Sequence, residues 1–168
     1  FGLMSDVLVA IVIDNSPSMT DRTAPDGRTY LRVVKDAAIQ MVENFTDGSA
    51  VGIVDFRGAN EVWEISITQL SGGGRAAVLS AIESIPEGQG NTNTAIWDGI
   101  GLGYTGVKAE MATYPDNLPA VVALTDGSDY QSSDTSSYGY NKIECGSDEW
   151  APWGNISVPG SYPTHWGK

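Results

Sequence analysis

Residues Val7 to Ile13 read VLVAIVI, an almost unbroken apolar run rich in β-branched side chains. A strand with one wet face alternates apolar and polar residues. This one does not, so both of its faces must be covered, as in a parallel sheet flanked by helices. Ala120 to Leu124 (AVVAL) repeats the pattern and ends at Thr125-Asp126-Gly127. Between the two runs the period changes. Leu31, Val34, Ala38, Met41, Val42 and Phe45 recur at helical spacing, predicting an amphipathic helix over Thr29 to Phe45 that is stopped at Asp47-Gly48. Val51 to Phe56 and Val62 to Thr68 are the next predicted strands. Their connection, Arg57-Gly58-Ala59-Asn60, is short enough for a hairpin, so the second is expected as an antiparallel edge strand. Its alternation sets Val62, Glu64 and Ser66 on a more solvated face, opposite Trp63, Ile65 and Ile67. Arg75 to Ile85 forms a short helix ended by Pro86-Glu87-Gly88, and a third helix runs over roughly Thr94 to Met111. This order predicts an α/β fold: an open, doubly wound, mostly parallel sheet with helices on both faces and one antiparallel edge strand.

Composition removes several function classes. The chain has 168 residues, enough for one domain with a substantial core. It carries 21 acidic against 9 basic residues, a formal net charge of −12. Nucleic acid is excluded as a partner, because that affinity rests on basic groups neutralising phosphates. Membrane insertion by this segment is not expected, since no apolar stretch approaches the roughly 18 residues a spanning helix needs. A single cysteine, Cys145, and a single histidine, His165, argue against an internal disulfide framework, a cysteine zinc site and a histidine-based triad. With no Gly-x-Ser-x-Gly elbow and no P-loop, the chain is read as a non-enzyme.

The chemistry gathers at the ends of the two buried strands. Asp14, Ser16 and Ser18 stand at i, i+2 and i+4 directly after the first, and Asp126 holds the same place after the second. Crevices outside the carboxyl ends of strands are where open α/β sheets bind ligands. Thr94, at the start of the third helix, adds a hydroxyl. Two carboxylates and three hydroxyls, with no nitrogen or sulfur donor, suit a hard cation such as Mg²⁺, with Ca²⁺ or Mn²⁺ as alternatives. The plainer expectation is a strand-end turn in which Asp and Ser cap backbone amides.

The segment Asp14-Asn15-Ser16-Pro17-Ser18-Met19 resembles the Asp-x-Ser-x-Ser signature of the metal-ion-dependent adhesion site in von Willebrand factor A-type (vWA) domains. Thr94 to Ile100 resembles the family's threonine motif, and Ala120 to Gly127 its third motif, a hydrophobic strand ending in Thr-Asp-Gly. The resemblance runs from about Val7 to Asp129. It implies a Rossmann-like vWA fold and a metal held by Asp14, Ser16, Ser18, Thr94 and Asp126. Ser16, Ser18 and Thr94 would bind directly, Asp14 mainly through water, and Asp126 either way. Thr92 competes for the place of Thr94, which is preferred for its spacing to Trp97, Asp98 and Gly99. Pro17 stands where the family often has Gly; the change stiffens the loop and removes no ligand.

The implied function is divalent-cation-dependent protein binding in a microbial surface or extracellular protein, with an Asp or Glu of a partner completing the metal's coordination. The alternative is a cytoplasmic assembly subunit of a chaperone-like or metal-insertion ATPase complex, and a third option keeps the cation purely structural. Residues 1–137 are read as the vWA core and 138–168 as an irregular, aromatic-rich tail or insertion. The family's domain usually continues through two more strands and a helix, which that segment does not resemble, so the C-terminal part is expected to be missing or replaced. The strand over Ala120 to Leu124 would then leave a sheet edge to be covered by the tail, by a cleaved remainder or by other subunits of a surface assembly.

Overall fold

The structure is a computed structural model that describes residues 5–57, 60–87 and 96–126. Four strands form one sheet in the order β3-β2-β1-β4: β1 is Val7–Asp14, β2 Ala50–Arg57, β3 Asn60–Gln69 and β4 Leu118–Leu124. β1 runs parallel to β2 and β4, and β2 pairs antiparallel with β3. The mostly parallel sheet and its antiparallel hairpin strand are as the apolar runs and the short 57–60 connection predict.

Alternation along β1 explains the layering. Val9, Ile11 and Ile13 face one way and join Leu31, Ala38 and Val42 of α2 (Tyr30–Asn44) with Val78 and Ile82 of α3 (Gly74–Ser84). Leu8, Ala10 and Val12 face the other way, toward α4 (Ile96–Glu110). Every residue of β1 after Val7 is buried, which satisfies the demand made by VLVAIVI. In contrast, β4 is half-buried over most of its length. Among the described residues it borders only β1.

α4 reaches the sheet through glycines. A Cβ on Gly99 would stand 2.9 Å from the Phe56 ring, and one on Gly103 3.1 Å from both Ala10 and Val12. Gly106 and Gly52 approach the Trp63 indole from α4 and from β2 respectively, so the ring is enclosed between two residues without side chains. Helix propensity is sacrificed there for close helix–sheet contact.

The expected alternation of β3 is corrected. Trp63 and Ile67 pack on the α4 face, but Ile65 packs with α2 and α3 on the opposite one. Register shifts between Val51 and Ile53, and again between Ile53 and Val54, place extra β3 residues opposite β2. Each such bulge reverses the faces of the residues beyond it. A second difference is α1 (Pro17–Asp21), a five-residue helix within the segment read as a turn. Pro17 sits where a helix tolerates proline best, at its first position. No helix among the described residues is long and apolar enough to cross a membrane.

Candidate metal centre

β1 and β4 end side by side, with Ile13 opposite Leu124. That register brings Asp14, the last residue of β1, next to Thr125 and Asp126, the first residues past β4. Asp14 is fully buried, and both carboxylate oxygens are occupied: Oδ1 accepts from the Ser16 amide at 2.8 Å, and Oδ2 from the Thr125 hydroxyl at 2.6 Å. Burial pushes the Asp14 carboxyl above its ordinary range. The Thr125 and Ser16 hydrogen bonds oppose that shift, and the nearby Asp126 charge adds to it.

Amide capping therefore describes Asp14 in part, but not Ser16. Ser16 occupies the N-cap position of α1, yet its hydroxyl makes no capping bond. It lies 3.1 Å from the Ser18 hydroxyl instead, and Ser18 Oγ donates to Asp126 Oδ1 at 3.0 Å. An unbroken polar chain thus runs Ser16, Ser18, Asp126, with Asp14 joined to it through the Ser16 main chain and through Thr125. Four of the five predicted ligands are gathered by the ends of β1 and β4 and the first turn of α1. Thr94, like its competitor Thr92, lies outside the described residues, as do Cys145, His165 and the segment 138–168.

The donor set is oxygen only. Among the described residues, no three His, Cys, Asp or Glu side chains gather into a metal site, so any cation held here must draw on hydroxyls beside the two carboxylates. That suits a hard ion which keeps part of its water and takes one or two carboxylates from the protein. Asp14, Ser16, Ser18 and Asp126 fit such an ion.

Several residues that shape the site carry no motif signal. Asn15 is fully buried between the two motif residues that flank it. Its amide nitrogen pins the loop to Phe56 O at 3.0 Å, and its side chain donates to Pro86 O at 2.8 Å. Lys35, 3% exposed, donates to Glu83 O at 2.8 Å and Ile85 O at 3.1 Å. Asn15 and Lys35 together hold the exit of α3, where the chain leaves toward Thr94. Next to Asn15, Asp55 is fully buried and paired through Oδ2 with the Arg57 guanidinium, while its Oδ1 and Asn15 Oδ1 have no hydrogen-bond partner among the described residues. Arg22 Nη1 lies 3.7 Å from Asp126 Oδ2. Thr125 is legible as part of the Thr-Asp-Gly motif that ends β4, but its contact with Asp14 depends on the β1–β4 register.

A family model for the von Willebrand factor type A domain matches residues 9–128. The chain belongs to that family. The matched span takes in both of the strand ends described above. Three solved structures share the fold. The D319A mutant of the PilB minor pilin from Streptococcus sanguinis superimposes with a TM-score of 0.57 at 19% identity, over 76% of this chain and 31% of that one. The pilus adhesin SpaC from Lactobacillus rhamnosus GG, in its open conformation, gives 0.55 at 18%, over 74% and 15%. Proximal thread matrix protein 1 from the mussel byssus gives 0.54 at 16%, over 77% and 33%. At these identities the likeness is one of fold, and the vWA chain spans no more than a third of any of the three. Among curated proteins none matches it in sequence.

Proposed function

We propose that this vWA domain is a divalent-cation-dependent protein-binding module of a surface or extracellular assembly, with no catalytic role of its own. Mg²⁺, or in its place Ca²⁺ or Mn²⁺, is held by Asp14, Ser16, Ser18, Thr94 and Asp126. An Asp or Glu side chain of a partner protein completes the coordination. The observation that carries this reading is the Ser16 hydroxyl, which makes no capping bond and meets that of Ser18, itself linked to Asp126 across the β1–β4 boundary. Two carboxylates and neutral hydroxyls leave a bound dication with enough residual charge to attract another anion. On a chain of net charge −12, an acidic partner is repelled unless a metal bridges the two. The fold shared with a minor pilin and a pilus adhesin supports a place in a surface assembly.

The test combines calorimetric titration with Mg²⁺ or Mn²⁺ and a screen of immobilised acidic peptides, in metal and in EDTA. One metal site is expected, lost in Asp14→Ala while the variant still unfolds cooperatively, together with peptide binding that disappears in EDTA. Absence of metal binding to the wild type, or equal peptide binding in chelator, overturns the proposal.

A further inference from the structure

The arrangement around Asp126 points to a second role at this site, and the inference rests on the metal reading above. Asp126 has both carboxylate oxygens engaged. Ser18 donates to Oδ1 at 3.0 Å, and the Arg22 guanidinium stands 3.7 Å from Oδ2. The Asp126 side chain is 13% exposed and that of Arg22 68% exposed, so the guanidinium can swing into solvent.

The placement of Arg22 is set by its main chain. It is the C-cap residue of α1, in extended conformation, immediately after the turn that carries Ser18. Its carbonyl accepts from the Tyr30 amide at 3.3 Å, and Thr23 bridges Thr29 just beyond it. The loop between is closed tightly by Gly27, whose positive φ of 86° favours glycine. Within that loop Arg28 is committed to Asp26 and Asp36. The base of the loop thus aims Arg22 at the site, while the loop's other cation is held elsewhere.

We propose that Arg22 is a tethered counter-ion of Asp126 that competes with the divalent cation, so that metal entry displaces the guanidinium and the site is tuned to weaker metal binding. An arginine cannot shed its charge. A dication seated among Ser16, Ser18 and Asp126 would therefore face a permanent positive group a few ångströms away. Coulomb repulsion at that range in a water-like medium, reduced by ordinary salt, corresponds to an affinity penalty of about three- to tenfold. Because Arg22 is mostly exposed, the ion pair itself adds little to fold stability. Its removal should leave the melting temperature unchanged.

Titration of the full chain with Mn²⁺ alone, followed by calorimetry and by the electron paramagnetic resonance of free Mn²⁺, tests this. Arg22→Gln is expected to bind Mn²⁺ about three- to tenfold more tightly than wild type. Arg22→Lys, which keeps the charge, should stay near wild type, and the gain of Arg22→Gln should shrink in half-molar salt. Equal or weaker Mn²⁺ binding by a normally folded Arg22→Gln overturns the competition while leaving the metal site standing. Failure of wild type and Arg22→Gln alike to bind Mn²⁺ removes the metal reading, and this inference with it.

Discussion

Replacing Asp55 by Asn should change how stability depends on pH, by an amount that follows from where the carboxylate sits. Asp55 is fully buried in β2; burial raises its pKa, Arg57 and the Asn15 amide draw it only part of the way back, and Glu64 adds to the rise. The carboxyl is pushed up from 3.8 to about 6. A folded-state pKa above the unfolded one means that the native chain binds the extra proton. Stability from this group is therefore fully present below the unfolded value of 3.8 and is lost as pH rises through about 6. A shift of about two units at 1.36 kcal/mol each sets the loss at about 3 kcal/mol, an upper bound because Arg57 reaches partly into solvent. Asparagine is close in shape and does not titrate. The stability of Asp55→Asn relative to wild type should thus climb by up to about 3 kcal/mol between roughly pH 3 and 7. Working with the difference cancels the opposing contributions of Asp26 and Glu83, whose carboxyls are held below their usual range by Arg28 and Arg32 respectively. The assay is urea unfolding at a series of pH values, with EDTA present so that metal binding does not enter. A difference that stays flat with pH, or falls as pH rises, would refute the account of Asp55 as a carboxylate ionised at a cost.

Two further substitutions test the packing that positions the site. Gly106→Ala gains helix propensity of about 1 kcal/mol, but its methyl group meets the Trp63 ring, and overpacking of 1–3 kcal/mol should win. A melting temperature at or above wild type would show that the α4–sheet approach is looser than described. Lys35→Met keeps the aliphatic stem and leaves the Glu83 and Ile85 carbonyls without their donor, so a loss of about 2–4 kcal/mol is expected in chemical denaturation. A loss below about 0.5 kcal/mol would mean that water replaces the ammonium at no cost.

The parts of this fold legible in the sequence are those whose signal is repeated. β1 and β4 announce themselves through consecutive apolar residues, and α2 through six apolar positions at helical spacing. Where the signal depends on strict counting, it fails. Ile65 looks like a companion of Trp63 and Ile67 because alternation assumes an unbroken ladder, and the irregularities opposite Ile53 break it. The five residues of α1 are too few to establish a period, and Ser-Pro-Ser has the chemistry of a turn as much as of a helix start. The glycines of α4 weigh against a helix in isolation. They become intelligible only once Phe56, Val12 and Trp63 are seen to fill the space that side chains would have taken.

The same division runs through the site. Asp14, Ser16, Ser18 and Asp126 are legible because each sits at a fixed offset from the end of a strand that reveals itself. Strand ends deliver side chains to one rim whatever the intervening chain does. Asn15, Asp55, Lys35 and Arg22 act through partners far away in sequence or through a loop closure, and no local pattern marks them; Thr125 falls within the Thr-Asp-Gly motif, but its contact does not. Thr125 makes the point most sharply. Its hydroxyl reaches Asp14, 111 positions earlier, only because Ile13 pairs with Leu124 and not with a neighbour of it. A slip of one residue in that ladder would turn Thr125 to the opposite face, take the donor from Asp14 Oδ2 and leave a buried carboxylate oxygen unsatisfied. The register of β4 against β1 is thus held both by the apolar faces of the two strands and by the polar bond at their end. The residues that a motif names as ligands depend for their geometry on a pairing that the motif does not contain.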